Sequence, residues 1–205
     1  MSKGILVVVS GFSGAGKGTV MKRLLEKYND YALSISVTTR NPRPGEEDGR
    51  EYFFRTKEEF EKLIKEDALI EYAQYVENYY GTPRSYVEEQ LQAGKNVILE
   101  IEIQGALNVK KKFPDTLLLF VTPPSAQELE HRLRGRGTET DEVIRSRLKR
   151  AVEEAEFMDH YDYILVNDDL ETCVQEMHEL IQAQRHKTSQ NQEFIAEMKE
   201  DLKQF

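Results

Sequence analysis

The hydrophobic pattern of the chain alternates short apolar runs with longer segments in which apolar residues recur every three or four positions. The apolar runs at 5–9, 96–99 and 117–121 predict strands, the last of the kind found inside parallel sheets, and a further strand is expected at 162–166. The first amphipathic segment predicts a helix that packs on the sheet through a stripe of Val20, Met21, Leu24 and Leu25. Because strands and helices alternate along the chain, we expect an α/β fold with a mainly parallel sheet.

The pattern between residues 33 and 92 is less regular. Alternating residues predict a strand over 33–37, and the stretch at 38–50 is rich in proline, glycine and charge, which predicts a long loop. Further strands are expected at 51–54, 69–75 and 79–81, the last two as a pair. Ser or Thr followed three residues later by Glu predicts helix starts at Thr56, Ser85 and Ser125, and the turn at 167–169 predicts another.

The C-terminal tail over 186–205 is polar but carries an apolar stripe of Phe194, Met198, Leu202 and Phe205. We interpret the tail as a short helix that docks on this or another subunit, which leaves a homodimer open. A frayed linker fits the same residues equally well.

Composition and charge argue against several classes of protein. The chain has 205 residues and a net charge of −9, which argues against a nucleic-acid-binding surface spread over the whole protein. Its single cysteine, Cys173, cannot form an intrachain disulfide and suits a reducing compartment. No apolar run approaches the ~18 residues of a membrane span, and no signal-peptide pattern precedes the first strand. We therefore expect a cytoplasmic protein that binds neither nucleic acid nor a membrane.

A glycine-rich segment from Gly11 to Thr19 lies between the first strand and the first helix. Its glycines let successive backbone N–H groups converge, and the helix start adds the positive end of its dipole, so phosphate is the expected ligand. Lys17 supplies a charge that can bridge the outer phosphates of a nucleoside triphosphate. The spacing matches the P-loop pattern, except that Gly18 replaces the usual Ser or Thr and the hydroxyl arrives at Thr19. A glycine-rich turn without a ligand is the less favoured interpretation.

Two pairs of charged residues are further candidates for ligand binding. Arg40 and Arg43 lie on a proline-stiffened part of the 38–50 loop and can hold a phosphate by bidentate hydrogen bonds, although solvated surface arginines fit equally well. Glu100 and Glu102 end the apolar strand that begins at residue 96, where a carboxylate needs a partner such as Mg²⁺ or a base. A solvated strand end is the competing interpretation.

The segment over 132–150 is rich in arginine within an acidic chain, and Gly135 and Gly137 interrupt its helical pattern. This arrangement indicates a hinged flap that can close over phosphates. A nucleic-acid-binding patch is the rival interpretation, which the absence of interleaved aromatic residues disfavours.

Together these motifs resemble those of the guanylate kinase family, nucleoside-monophosphate kinases of the P-loop NTPase superfamily. The resemblance covers about residues 4–184 and is carried by Gly11–Thr19, Ser36–Gly45, Asp48–Tyr52, Tyr79–Thr82, Ile103–Gly105, Gly135–Thr138 and Val166–Asp169. It implies a three-layer P-loop core, a small mixed-β insertion over 36–82 that binds GMP, and a helical lid over 130–158. It also implies transfer of the γ-phosphoryl group of ATP, with Mg²⁺, to the 5′-phosphate of GMP.

The resemblance implies a role for each matching residue. ATP binding is expected at Gly11, Phe12, Ser13, Gly14, Ala15, Gly16, Lys17, Gly18, Thr19 and, near the adenine, Asn167. GMP binding is expected at Ser36, Arg40, Arg43, Tyr52, Glu71, Tyr80, Thr82 and Glu102. Charge neutralisation during transfer is expected from Lys17, Arg136 and Arg147, and Mg²⁺ binding from Glu100 through water and from Thr19. Guanine chemistry agrees, because its adjacent N1–H and N2–H donors suit the Glu71 carboxylate and its O6 acceptor suits the Ser36 hydroxyl.

Three positions depart from the family pattern. Phe12 stands where proline is frequent, Gly18 shifts metal binding toward water and Glu100, and Glu102 replaces the usual aspartate, which bears on contacts with guanine or ribose. A non-catalytic protein-binding module and a kinase for another nucleoside monophosphate are the alternative functions. Deoxy-GMP is left open as a second acceptor.

Overall fold

A parallel sheet and a smaller mixed sheet organise the computed structural model, which describes residues 3–75, 77–135, 137 and 140–205. The strands are β1 (Leu6–Gly11), β2 (Tyr31–Leu33), β3 (Val37–Thr38), β4 (Phe53–Phe54), β5 (Leu69–Tyr75), β6 (Asn78–Pro83), β7 (Asn96–Glu100), β8 (Leu117–Thr122) and β9 (Tyr163–Val166). The helices are α1 (Lys17–Lys27), α2 (Lys57–Lys65), α3 (Arg84–Gln92), α4 (Ile103–Lys112), α5 (Ala126–Gly135), α6 (Asp141–Ala155), α7 (Leu170–Gln184) and α8 (Gln192–Asp201). The expected α/β fold class is confirmed.

The central sheet has the strand order β2-β7-β1-β8-β9, and each neighbouring pair is parallel. Residues 7–9 of β1 and 117–121 of β8 have no solvent-exposed surface. These strands are apolar without alternation because helices cover both faces of the sheet. The main hydrophobic core therefore lies on the two sides of β1, β7 and β8.

The direction of the crossovers places the helices. The connection through α1 leads from β1 toward the β2 edge of the sheet. The connection through α4 leads from β7 past β1 to β8, toward the opposite edge. Since parallel crossovers are right-handed, these opposite directions put α1 and α4 on opposite faces. In agreement, α1 packs against α7, and α4 packs against β1 and β8. The carboxyl ends of β1 and β7 consequently flank a crevice, where ligands bind in folds of this kind.

The mixed sheet has the order β4-β3-β6-β5, with β3 parallel to β4 and antiparallel to β6. It has its own small core of Val37, Phe60 and Leu69, in which Phe60 of α2 is fully buried. The predicted capping box of α2 is confirmed, because Thr56 and Glu59 each accept the other's backbone N–H. The predicted pairing of β5 with β6 is also confirmed.

The prediction of one strand over 33–37 is wrong. Its first part belongs to β2 and its last residue to β3, and these strands lie in different sheets. The backbone changes partner between them, since Ser34 N donates to Ile98 O of the central sheet while Ser36 O accepts from Phe53 N of the mixed sheet. An alternating pattern does not reveal such a change of sheet.

Two other local predictions need correction. The strand that begins at residue 96 ends at Glu100, and Glu102 is instead the N-cap residue of α4, with its carbonyl accepting from Ala106 N. The helix predicted to start with a Ser85 cap begins two residues earlier, with Pro83 as its N-cap residue and without a side-chain cap. At α5 the Ser125 cap is present, but Glu128 pairs with Arg132 rather than returning to the cap.

The tail forms α8, but its apolar stripe does not pack against the rest of the chain. Phe194, Met198 and Leu202 are 44–60% exposed, and Phe205 is fully exposed. The expectation of docking on the same chain is therefore wrong. Within the part of the chain that the structure describes, no helix combines the length and apolar character needed to cross a membrane.

We expect Asn96→Ala to lower the free energy of unfolding by about 1–3 kcal/mol, because the substitution removes the acceptor of two hydrogen bonds in a buried place. Asn96 is fully buried, and its Oδ1 accepts from Ile5 N and Arg185 Nη2 at 3.2 and 2.9 Å. Urea unfolding measures the effect, with the exposed Asn108→Ala on α4 as the control. Equal stabilities of the two variants would contradict this role.

Candidate active site

The glycine-rich segment joins β1 to α1 in a conformation that only glycine adopts without strain. Gly14 and Gly16 have φ of 98° and 89°, and Gly16 is the N-cap residue of α1. A Cβ atom on Gly11 would lie 2.1 Å from Val121 O, and one on Gly16 would lie 2.5 Å from Asn167 Nδ2. The segment is therefore packed against β8 and against the loop after β9, which holds its backbone in place.

Lys17 and the start of α1 make this segment electropositive. Lys17 Nζ donates to Gly11 O at 2.8 Å and to Phe12 O at 3.3 Å, so the ammonium group lies over the loop. The first turn of α1 contains no acidic residue that would offset its dipole. Gly18 and Thr19 lie in the same turn and are exposed. Backbone N–H groups, the dipole and one ammonium group together form an anion-binding site.

Asn167, predicted to lie near adenine, has a clear structural contact with this loop. Its side chain is buried, and Nδ2 donates to Ala15 O at 2.8 Å. Its own backbone N donates to Thr122 O at the end of β8. Asn167 thus ties the glycine-rich loop to the carboxyl end of the central sheet.

A cleft of about 800 Å³ opens at the carboxyl ends of β1 and β7, between the two sheets and α6. Of the residues that the sequence singled out, its lining includes Gly11, Ser13, Lys17, Ser36, Tyr52, Glu71, Tyr80, Glu100, Glu102 and Arg147. Arg136 lies outside the described residues. The structure therefore brings residues from the glycine-rich loop, the mixed sheet and α6 to one site.

Glu71 is the most buried carboxylate of this cleft, with 5% of its surface exposed. Thr82 Oγ1 donates to Glu71 Oε1 at 2.8 Å. Burial raises the pKa of the Glu71 carboxyl, and the Thr82 hydroxyl and the Lys112 ammonium oppose that rise. A Cβ atom on Gly105 would lie 3.0 Å from Glu71 Oε2, so the helix α4 approaches this carboxylate closely. Such a carboxylate is suited to accept hydrogen bonds from a planar donor pair.

The predicted phosphate-binding arginines lie beside the cleft, on the mixed-sheet side. Arg40 Nη2 donates to both oxygens of Glu46 at 3.0 and 2.9 Å, and its guanidinium group lies 5.2 Å from the centre of the Tyr52 ring. Glu46 also accepts from Arg43 N at 2.8 Å. The loop is thus folded around the Glu46 carboxylate. This carboxylate binds the Arg40 guanidinium group, which could bind a phosphate in the same way.

Glu100 ends β7 close to Lys17. The cleft walls partly desolvate its carboxyl, although one side stays open to solvent, and this burial raises its pKa. The Lys17 ammonium lowers the pKa again, and the neighbouring Glu102 adds to the rise. Thr19, the other expected metal ligand, is not among the described residues that line the cleft.

Helix α6 closes the cleft from the opposite side. Arg147 Nη1 donates to Ser13 Oγ at 2.5 Å, which links α6 to the glycine-rich loop across 134 residues of sequence. The cleft lining also includes Arg150 and Glu154, which sequence reasoning did not single out. Their spacing of three and seven residues from Arg147 places all three on one helical face, and this signal was available in the sequence.

Comparison with known proteins agrees with this architecture. The family model for guanylate kinase matches residues 3–184. The guanylate kinase of Oceanobacillus iheyensis is 55% identical over 185 residues, which cover 90% of either chain. That of Lactococcus lactis is 49% identical over 201 residues, or 98% of either chain. The crystal structure of guanylate kinase from Anaplasma phagocytophilum superposes with a TM-score of 0.73 at 34% identity, covering 91% of this chain and 89% of that one.

We expect Gly16→Ala to destabilise the fold by about 1 kcal/mol or more, because its Cβ would meet Asn167 at a positive φ that alanine disfavours. Gly18→Ala, two residues further along the chain, is the matched control, because a Cβ atom there has no other atom within 4 Å. Its stability should be unchanged or raised, since alanine is the better helix former. Thermal unfolding separates the two, and a Gly16→Ala protein as stable as the wild type would contradict the packing described here.

Proposed function

The chain belongs to the guanylate kinase family and transfers a phosphoryl group from ATP to GMP, and we propose how its residues divide that reaction. The observation that carries the proposal is one cleft lined by Lys17 of the glycine-rich loop, Glu71 of the mixed sheet and Arg147 of α6. The loop suits a triphosphate, the buried carboxylate suits a base, and the arginine suits the group that moves between them.

On the donor side, we propose that the loop from Gly11 to Thr19 binds the phosphates of ATP through its backbone N–H groups. Lys17 would exchange its contacts with the Gly11 and Phe12 carbonyls for the outer phosphates. Asn167 supports this loop through Ala15, and we propose that it also lies near the adenine. The structural role of Asn167 and the assigned adenine contact are compatible.

On the acceptor side, we propose that Glu71 accepts hydrogen bonds from N1–H and N2–H of guanine. The contact with Thr82 fixes the orientation of this carboxylate. Ser36, Tyr52 and Tyr80 line the same part of the cleft. Arg40, with Arg43 beside it, would exchange Glu46 for the 5′-phosphate of GMP. The two ends of GMP would then be held by groups of opposite charge.

The reaction needs no covalent intermediate, because the acceptor phosphate oxygen already carries negative charge. An oxygen of the GMP phosphate forms the new P–O bond to the γ-phosphorus while the bond to the β-phosphate oxygen breaks, giving GDP and ADP. Catalysis then consists of alignment and charge neutralisation. We assign neutralisation to Lys17 and Arg147, with Arg136 as an untested third member by its resemblance to the family motif. Closure of α6 over the cleft would exclude water from the phosphoryl group.

The donor set fits a Mg²⁺ ion that is held mainly by substrate. Among the described residues, no three His, Cys, Asp or Glu side chains converge as a metal site, but Glu100 presents a carboxylate beside Lys17. Mg²⁺ commonly combines one or two carboxylates with water and substrate phosphates. We propose that Glu100 serves in this way, with Thr19 a secondary candidate. When bound, the ion supplies further charge neutralisation on the phosphates.

We further propose that residues 36–82 form the GMP-binding region and 130–158 the lid of a domain that spans 4–184. The mixed sheet and α6 support this division, since they contribute the acceptor-side and lid-side walls of the cleft. Lys17, Arg40 and Arg147 argue against a non-catalytic protein-binding module, because such a module does not need cations that bind phosphate.

We expect ADP production from ATP and Mg²⁺ to be fast with GMP and slow with AMP, CMP, UMP or dTMP in a coupled assay. Lys17→Met should lower turnover with GMP by about a hundredfold or more, the typical effect of removing a group that stabilises transition-state charge. The exposed Lys22→Met on the same helix serves as the control. Faster turnover with another monophosphate would show that this nucleotide, and not GMP, is the preferred acceptor. Near-normal turnover by Lys17→Met would show that Lys17 does not take part in the mechanism.

We expect Glu71→Gln to weaken GMP binding while leaving ATP binding unchanged. The amide places an N–H₂ donor against a donor of guanine, and such an unmatched buried contact costs about 1–3 kcal/mol. Inosine monophosphate lacks the 2-amino group, so it should lose less affinity than GMP does. Titration of both ligands against the wild type, Glu71→Gln and the exposed control Glu61→Gln measures this difference. Equal losses for the two ligands would show that Glu71 does not recognise the 2-amino group.

A further inference from the structure

Arg147, Arg150 and Glu154 share one face of α6 and contact two different walls of the cleft. Arg147 reaches Ser13 in the glycine-rich loop. Arg150 reaches the opposite wall, where its Nη2 donates to Glu102 Oε2 at 2.5 Å. Helix α6 is therefore anchored at the same time to the donor side and to the connection between β7 and α4.

Glu154 orients the guanidinium group of Arg150. It lies one helical turn further along, and its Oε1 accepts from Arg150 Nε at 2.9 Å. The Glu154 side chain is only 15% exposed, and burial raises its pKa while the Arg150 guanidinium lowers it. Because guanidinium is planar and rigid, fixing Nε toward Glu154 directs Nη2 toward Glu102.

Glu102 connects α6 with the first turn of α4, next to Glu71. It is the N-cap residue of α4, and the same first turn contains Gly105, whose approach to the Glu71 carboxylate is close. The ion pair with Arg150 therefore links α6 to the turn that packs against Glu71. The step of three residues from Arg147 to Arg150 spans about 4.5 Å of helix, so the two anchors fix the register of α6 as well as its distance.

This ion pair contributes little to global stability. The side chains of Arg150 and Glu102 are 40% and 64% exposed, and exposed pairs stabilise proteins weakly. Arg134 offers a comparison, since it pairs with Glu130 and with Asp141 of α6 at similar exposure but does not line the cleft. What distinguishes Arg150 is the wall that it contacts.

We propose that Arg150 is a positioning residue for phosphoryl transfer: acting through Glu102, it sets the register of α6 so that Arg147 meets the transferring group. This inference rests on the proposed function, because it assigns Arg147 to the reaction. Arg150 itself does not contact the reacting atoms.

The test measures kcat and KM for both substrates in Arg150→Ala, Glu102→Ala and the double variant. Arg150→Ala should lower kcat about tenfold, a coupling typical of residues in one network, with KM for GMP and ATP within about twofold of the wild type. The matched control Arg134→Ala should keep the wild-type kcat. Thermal unfolding should give similar stabilities for Arg150→Ala and Arg134→Ala.

The double-mutant cycle separates positioning from an independent effect. If Arg150 acts through Glu102, the double variant at saturating GMP should have the kcat of the slower single variant. Multiplied effects, or an Arg150→Ala enzyme with the kcat of the Arg134→Ala control, would overturn the inference. Arg150→Lys should recover only part of kcat, because an ammonium group cannot hold Glu154 and Glu102 in the same planar geometry.

Failure of this inference is distinguishable from failure of the proposed function. If the wild type does not phosphorylate GMP, or Arg147→Ala keeps full turnover, the proposed assignment of roles is wrong. If the wild type is active, Arg147→Ala is impaired and Arg150→Ala is not, only the role of Arg150 is rejected.

Discussion

The close packing of the glycine-rich loop is the constraint on which the rest of the site depends. Gly11 lies against the backbone of β8, and Gly16 lies against Asn167, which itself is bonded to Ala15 and to the end of β8. The conformation of the loop therefore depends on β1, from which it continues, on β8 and on the residue that follows β9, and not on its own sequence alone. Because the carboxyl ends of these strands meet at one edge, the anion-binding backbone and the other cleft walls are fixed relative to each other.

Three of the cations in or beside the cleft have oxygen partners from the protein itself. Lys17 contacts loop carbonyls, Arg40 contacts the Glu46 carboxylate, and Arg147 contacts the Ser13 hydroxyl. These contacts hold the cations near the positions assigned to phosphates, at the cost that a phosphate must exchange with them. At Lys17 and Arg147 the exchange favours phosphate, because charge-assisted contacts to phosphate are stronger than those to carbonyl or hydroxyl oxygens.

Local patterns predicted much of this architecture, whereas long-range contacts were beyond them. The apolar strands and the Thr56 capping box follow from neighbouring residues, and so does the glycine-rich loop. The change of sheet after Leu33 depends on partners more than sixty residues away, at Ile98 of the central sheet, and no local spacing encodes it. Glu102 is identified by its place near the end of an apolar run and by the family motif, but its pairing with Arg150 joins residues 48 positions apart. Sequence therefore identified which residues matter more readily than which of them touch.

The distribution of charge within the cleft supports the proposed orientation of two anionic substrates in an acidic protein. The chain has a net charge of −9, yet Lys17 and Arg147 line the cleft, and Arg40 lies beside it. Glu71 is buried in the wall of the cleft that the mixed sheet forms. A nucleotide bound in reverse would bring its phosphate to this carboxylate in a poorly solvated pocket, where like charges repel strongly. In the proposed arrangement the same carboxylate accepts from the donor edge of the base, so one buried charge would both select the base and direct the phosphate toward the cations.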